Sequence, residues 1–449
     1  MNCAHIQWHE KGLDSPSLLA ERGLAYRGRY LEEGAFSYGK IGLPRRIKPR
    51  GKMPQLEEGL CEWTEVVSRK MPSLSNSEAR VLALYSFGMV LAQSCGLTSV
   101  AVFLGLLLGR EDNSVRQQLR EFTYEGKDKR GNKRQTVAVE NCFGGLLGWV
   151  LSWWSEGEQR LALAMDATTF KQIFTVLVVS VVYRGCAIPV AWRVLPATKK
   201  GQWRPHWEAL LELLKPSVPV NWTVVVLADR GLYAKWLYRR LVKLGGHPFL
   251  RITQQGKFRA HDTPYFRPLA GLVSLTAPDW SGAVTCFISA HARLDCTLLA
   301  RFDPAYADPW LVLTDLPPRV ADIAWYGMRA WIEAGFKDIK RGGWAWHQTK
   351  MTDPARAERL WLVIAVATLW VLSVGGYAEA DAPPCSLPFL PPFFPYRSRP
   401  KSTSRPRLLS VFARGLLIIL AALLRGDSLP FGDFVPEPWP ASPIPNPLC

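Results

Sequence analysis

Residues 161–195 read LALAMDATTFKQIFTVLVVSVVYRGCAIPVAWRVL, and this stretch decides the fold. Leu161–Met165 is a short apolar run ending at Asp166. Ile173–Tyr183 is apolar and β-branched, long for one strand, and Ala187–Leu195 repeats the pattern after a break at Arg184-Gly185. β-branched residues pack well on a pleated surface. Three such runs with short breaks therefore predict a meander of strands. Downstream, Pro205–Leu214 has helical spacing and Thr223–Ala228 (TVVVLA) reads as a buried strand ending at Asp229. Tyr233–Leu244 is helical and Pro248–Ile252 strand-like. Three strands, a helix, a strand, a helix and a strand describe a mixed α/β sheet rather than a uniform βαβ array.

Beyond this core the rhythm breaks. Residues 253–316 hold short strand-like runs and turn residues and read as a mostly β insertion. A helix follows over about Asp322–Lys340, stopped by Gly342-Gly343. Upstream, residues 77–125 are helical. Asn76 or Ser77 caps a helix to about Ala92, and apolar and basic helices follow across Gly96 and Gly109. Helix, short turn, helix is a weak form of the pattern of a DNA-reading pair, with Arg116, Gln117 and Arg120 outward, and fits a plain helical bundle better. Lys40–Lys52 holds six basic residues and no acid and reads as a basic arm, and Lys127–Arg134 as a basic loop. From Ala382 the chain is Pro-rich, then basic, and its last twenty residues read as disordered. The expected division is a helical, basic DNA-binding region over 1–155, an α/β region over 156–380 and a tail over 381–449.

With 449 residues, 48% of them apolar, the chain is long enough for two or three domains and rich enough for a sizeable core. Lys and Arg number 55 against 38 acids, a formal charge of +17, which favours a polyanionic partner, nucleic acid or acidic membrane. The nine cysteines are scattered singly without a C-x-x-C pair, which argues against structural zinc and a disulfide framework. The first residues show no basic-then-apolar leader, so cytoplasm is the expected compartment. Leu360–Tyr377 runs eighteen residues without a charge and meets the length test for a membrane span. A helix buried within a large core satisfies the same test, and Asp353-Pro354 before it reads as the capped start of a soluble helix.

Asp166 and Asp229 both end apolar runs. A strand end in such a sheet opens into a crevice, where two carboxylates from different strands can converge on a divalent cation. Either Asp alone is also a common turn residue. On the helix after the insertion, Tyr326, Arg329, Glu333 and Lys340 fall within about a 60° arc at about 100° per residue. One face thus carries a phenol, a guanidinium, a carboxylate and an ammonium. The same face is also what a solvated helix with Glu333–Lys337 pairing shows.

The spacing Y-x2-R-x3-E-x6-K at Tyr326, Arg329, Glu333 and Lys340 resembles the signature of a large group of bacterial insertion-sequence transposases. Asp166 in AMDATTF and Asp229 in LADRGLYAKWL, with a β-rich insertion before Glu333, match that family's order over about residues 160–375. The resemblance implies an RNase H-like mixed sheet with a mostly β insertion, preceded by a helical N-terminal domain. It implies that Asp166, Asp229 and Glu333 bind two Mg²⁺ (or Mn²⁺) ions, and that Tyr326, Arg329 and Lys340 hold DNA phosphates. The family resemblance further implies excision through hairpin ends and joining to target DNA by a dimer on paired terminal repeats, in the cytoplasmic nucleoid, with no membrane. Arg230 is a candidate DNA contact, or a residue that neutralises the carboxylates. Trp310 is a candidate platform for a flipped base, or a sheet-core residue. An RNase H-like nuclease that cuts without joining, an inactive DNA-binding relative, and a membrane-associated protein anchored by Leu360–Tyr377 are the competing readings. Basic residues are expected to ring the carboxylates rather than fill the space between them.

Overall fold

The computed structural model describes residues 54–131, 135–154, 158–198, 203–304, 306, 308–380 and 409–442. The basic arm at 40–52, most of the Pro-rich stretch from Ala382, and part of the loop at 127–134 lie outside these residues. All described residues fall within one compact unit.

Five helices come first: α1 (Pro54–Lys70), α2 (Asn76–Ala92), α3 (Leu97–Leu108), α4 (Asp112–Phe122) and α5 (Glu140–Leu151). The cap of α2 is Ser75, one residue before the expected position. Its hydroxyl accepts from the Glu78 amide while Glu78 returns a bond to the Ser75 N–H, a reciprocal capping box. Arg116 is exposed on α4, whereas Gln117 is tied to Glu121 and Arg120 to Gln117.

The meander is β1 (Arg160–Phe170), β2 (Phe174–Tyr183) and β3 (Cys186–Pro196). Then come α6 (Arg204–Leu214), β4 (Thr223–Ala228), α7 (Lys235–Lys243) and β5 (His247–Arg251). The insertion supplies β6 (Lys257–Ala260), β7 (Arg267–Pro268), β8 (Asp279–Cys286) and β9 (Leu294–Arg301), and β10 (Trp310–Thr314) closes it. All ten strands join one sheet in the order β3-β2-β1-β4-β5-β10-β9-β8-β6-β7. β2 is antiparallel to β1 and β3, and β4 runs parallel to β1 and β5. This is the RNase H-like arrangement, widened by the insertion because β10 pairs with both β5 and β9.

β2 is buried along its whole length, as its unbroken apolar run requires when both sheet faces are covered. Pro189 is tolerated in β3 because that strand forms the sheet edge and carries a bulge at Val190, between the partners of Val179 and Ser180. This edge is covered by helices and closed by Glu358, whose carboxylate accepts from the Val194 N–H at 2.9 Å and pairs with Arg193 at 3.1 Å.

After the sheet come a 3₁₀ stretch (Ile323–Ala330), α8 (Trp331–Lys337), α9 (Pro354–Tyr377) and α10 (Val411–Arg425). α9 carries the eighteen-residue apolar run. It is long and apolar enough to cross a membrane, yet 94% of that window is buried inside the protein. Asp353 caps it, accepting from the Arg356 N–H at 2.7 Å. Buried Arg359 ties α9 to the N-terminal region through the Thr123 carbonyl (2.9 Å), the Val137 carbonyl (3.3 Å) and Glu125. Trp63 of α1 stacks on Trp370 of α9 at 4.8 Å. The helical N-terminal region therefore shares the core of the sheet, and the expected boundary near residue 155 falls inside that core.

The tail also departs from expectation. Residues 409–442 form α10 and an extended run that packs back on the protein. Phe434 is fully buried, and the Trp370 indole donates to the Pro430 carbonyl at 2.9 Å. The disorder expected over the last twenty residues does not hold for 430–442.

Candidate active site

Alternation along β1 decides which way Asp166 faces. Leu161, Leu163 and Met165 enter the large core on one side of the sheet, while Ala162 and Ala164 enter a second cluster under Met328, Trp331 and Ile332. Asp166 continues the even-numbered set and so points towards the helix after the insertion. It is not at the end of the strand, as the sequence suggested. β1 runs on to Phe170, and Asp166 still pairs with Val178 of β2. Asp229 does sit just past its strand. Because β1 and β4 run parallel with Met165 opposite Ala228, the two acids leave their strands at the same height.

The expected single helix over Asp322–Lys340 is three pieces, 3₁₀ to Ala330, α to Lys337 and π over Asp338–Gly342. The 3₁₀ turn matters, since residues three apart then eclipse. Tyr326 and Arg329 therefore reach the same carboxylate. The Tyr326 hydroxyl donates to Asp229 at 3.4 Å, and Arg329 lies 3.9 Å from Asp229. One α-helical turn later comes Glu333, paired with Arg329 rather than with Lys337. Arg329 also donates to Asp166 at 2.7 Å. Gly335 lets α8 lie close to the sheet, since a Cβ there would meet Ala187 Cβ at 3.0 Å.

Arg329 thus sits among all three acids, with its side chain 14% exposed. Contrary to the expectation that basic residues only ring the acidic pocket, one guanidinium, that of Arg329, sits inside it. Burial pushes the Asp166 carboxyl above its ordinary range, and Arg329 pulls the other way. Burial opposes the charge on Arg329, but Asp166, Tyr326, Asp229 and Glu333 more than offset it, so its pKa is raised. Burial, with help from Asp229, also raises the Tyr326 phenol, which stays a donor. Among the described residues, no three of His, Cys, Asp and Glu gather closely enough to hold an ion in this conformation.

The remaining expected residues divide. Tyr326 is only 3% exposed and orients Asp229, so in this conformation it is not a phosphate contact. Lys340 stands on the π turn. Burial and Arg341 lower its pKa, while Asp166 pulls it up. Arg230 points to the β9–β10 loop and pairs with Asp308 at 2.8 Å. Trp310 is 6% exposed and packs edge-on to Tyr326 at 5.0 Å, a sheet-core residue beneath the site rather than an open stacking platform. Beyond the expected residues, His347 contacts the Lys340 carbonyl. Arg251 was missed. It ends β5, next to β4, and reaches within 3.9 Å of Asp229. A basic residue ending the strand after the second acid was the available signal.

Asp338, at the start of the π turn, is pushed up to about 7 by burial, against the pull of Lys337. A carboxyl raised on folding weakens the fold once it must ionise. The native state therefore loses stability as pH rises from about 4 to about 7, and the penalty is complete above that. Asp338→Asn is expected to remove this slope, so that urea midpoints of variant and parent agree near pH 4 and the variant is more stable by about 1–3 kcal/mol at pH 8. A variant no more stable than its parent at pH 8 would contradict the burial argument.

Residues 159–370 match the family model described as a transposase DDE domain. The matched segment begins at the edge of β1 and ends within α9, and it contains Asp166, Asp229, the insertion and Glu333. The match supports an enzyme that cleaves and joins DNA. No curated protein sequence matches the chain.

Proposed function

We propose that the protein is a DDE transposase that cuts DNA at the ends of its own insertion sequence and pastes them into target DNA. The observation that carries this reading is the seating of Asp166 and Asp229 side by side where β1 and β4 run parallel, beneath a helix that brings Glu333 to the same guanidinium. Three carboxylates without sulfur or imidazole suit a hard cation such as Mg²⁺ or Mn²⁺. Asp166, Asp229 and Glu333 would hold it, and when bound it supplies the Lewis acidity for in-line displacement at phosphorus.

The chain's own residues prepare that step. Tyr326 holds the Asp229 carboxylate by a hydrogen bond. Arg329 provides the positive charge that keeps three acids together in this conformation. Displaced from them, it is placed to pair with a backbone phosphate, whose oxygens match the guanidinium fork. Lys340 adds a second phosphate contact from the π turn. Work on paired terminal inverted repeats by a homodimer, in the nucleoid, completes the reading.

Purified protein, DNA bearing the inverted repeats that bracket its coding region, and a target plasmid make the test. Mg²⁺ or Mn²⁺ is expected to give nicked ends and joined products, and EDTA to abolish both. Cleavage that persists in EDTA would remove the metal. Cleavage with no joined product would reduce the protein to a nuclease.

A further inference from the structure

The segment after α10 is rich in proline, with Pro430, Pro436, Pro438 and Pro440 between Leu429 and Ser442. Proline fixes φ and donates no backbone hydrogen bond, which suits an extended run crossing a surface by side-chain anchors. The anchors are specific. Tyr183 Oη accepts from the Val435 N–H at 3.1 Å, and Arg184 Nε donates to the Val435 carbonyl at 3.0 Å. Arg184 also lies 3.9 Å from Glu437. Trp439 packs edge-on against Trp325 at 5.0 Å and lies under the Arg160 guanidinium at 5.0 Å.

The last anchor reaches the catalytic helix. The Ser442 N–H donates to Asp322 Oδ2 at 2.7 Å and its hydroxyl donates to Asp322 Oδ1. Arg301 Nη2 donates to the same hydroxyl at 2.7 Å. Asp322 is the N-cap of the 3₁₀ stretch and accepts from the Ala324 N–H at 2.8 Å. Tyr326 and Arg329 follow within the next two turns. The strap therefore holds the residue that starts the helix and the Trp325 ring beside it, on the face of the sheet that carries Asp166.

We propose that residues 435–442 form a positioning strap, in which Trp439 and Ser442 act through Trp325 and Asp322 to set the seating of Tyr326, Arg329 and Glu333 over Asp166 and Asp229. None of the strap residues touches the carboxylates, so their effect is on geometry. A short 3₁₀ stretch has weak intrinsic stability, because its hydrogen bonds are poorly aligned. It needs an external hold at its start, and a small misplacement of catalytic groups is costly in rate.

The proposal rests on the transposase reading for its catalytic arm and is independent of it for its structural arm. The full-length protein with Trp439→Ala and Ser442→Ala is compared with the parent by hydrogen exchange and by end cleavage at saturating DNA. Amides of 323–333 are expected to exchange about tenfold faster while those of α9 keep the parent rate. The cleavage rate constant is expected to fall about tenfold with DNA affinity unchanged, and Trp439→Phe with Ser442 intact to restore it. Unchanged exchange at 323–333 overturns the proposal. So does an equal rise in α9, which would make the strap general packing, and so does faster exchange with an undiminished cleavage rate. A parent protein that cleaves no DNA refutes the transposase reading instead, and the exchange comparison still decides the strap.

Discussion

Asp166→Asn and Asp229→Asn each leave end cleavage slower by about 10³-fold or more, because each removes a charged oxygen donor from a set of three. The two substitutions keep size and shape, so folding is not the variable. At position 166 the amide can still accept from the Ala167 N–H, which lies 2.8 Å from Asp166 Oδ1. Lost instead is the negative charge facing Arg329 at 2.7 Å. Burial already disfavours the ionised Asp166 carboxyl, so the circular dichroism melt is expected to stay within a few degrees of the parent. Single-turnover cleavage of labelled end DNA is the measurement. A residual rate within tenfold of the parent, at unchanged DNA affinity, would take that residue out of the cation set. Glu333→Gln is informative in the same assay because Glu333 is 61% exposed and, among the described residues, bound only to Arg329 in this conformation.

The second large effect is on stability. Where α9 and α10 cross, the helices touch backbone to backbone through two glycines. A Cβ on Gly415 would lie 1.9 Å from the Val371 carbonyl oxygen, and one on Gly375 would lie 2.0 Å from the Val411 carbonyl oxygen. Neither clash ends on a movable side chain, so relief requires the helices to separate. Gly415→Val is expected to destabilise the protein by about 3–5 kcal/mol, at the upper end for overpacking. It should also open the tail to limited proteolysis near residues 409–442. A urea midpoint and cleavage pattern equal to the parent's would show that the crossing is looser than described. This crossing accounts for Gly375, while its neighbour Gly376 faces Tyr183, whose hydroxyl would lie 2.2 Å from a Cβ there.

Much of the core was legible because its residues are extreme. The runs Phe174–Tyr183 and Thr223–Ala228 are β-branched and apolar, and they became β2 and β4. Asp229 was legible as the residue where such a run stops. Asp166 was half legible. It was singled out correctly as an acid after an apolar run, but β1 continues through Ala167–Phe170. The turn that ends β1 uses Lys171 and Gln172 with φ of 49° and 64°. Those left-handed positions usually favour Gly or Asn, so no local signal marked the strand's true end. The face shared by Tyr326, Arg329 and Glu333 was found with an α-helical period. The 3₁₀ segment changes that period, yet still brings Tyr326 and Arg329 to Asp229. The position of Arg329 among the acids was not legible, because spacing gives the face of a helix and not its height over a sheet. Nor was the strap, since a Pro-rich composition describes both a free tail and an anchored one.

The apolar run of α9 has one more consequence, in terms of what an incompletely folded chain would encounter. The helix is covered from both ends of the described sequence, by Trp63 of α1 and Phe87 of α2 on one side and by α10 and Phe431 on the other. No single neighbouring segment shields it. A chain that has formed its sheet but not docked α10 therefore leaves one side of this apolar helix uncovered. Such a surface is a binding site for chaperones, for other copies of the same intermediate and for lipid. The span-like length and hydropathy of residues 360–377 are thus withdrawn from the surroundings only when the fold is complete, with 94% of that window buried.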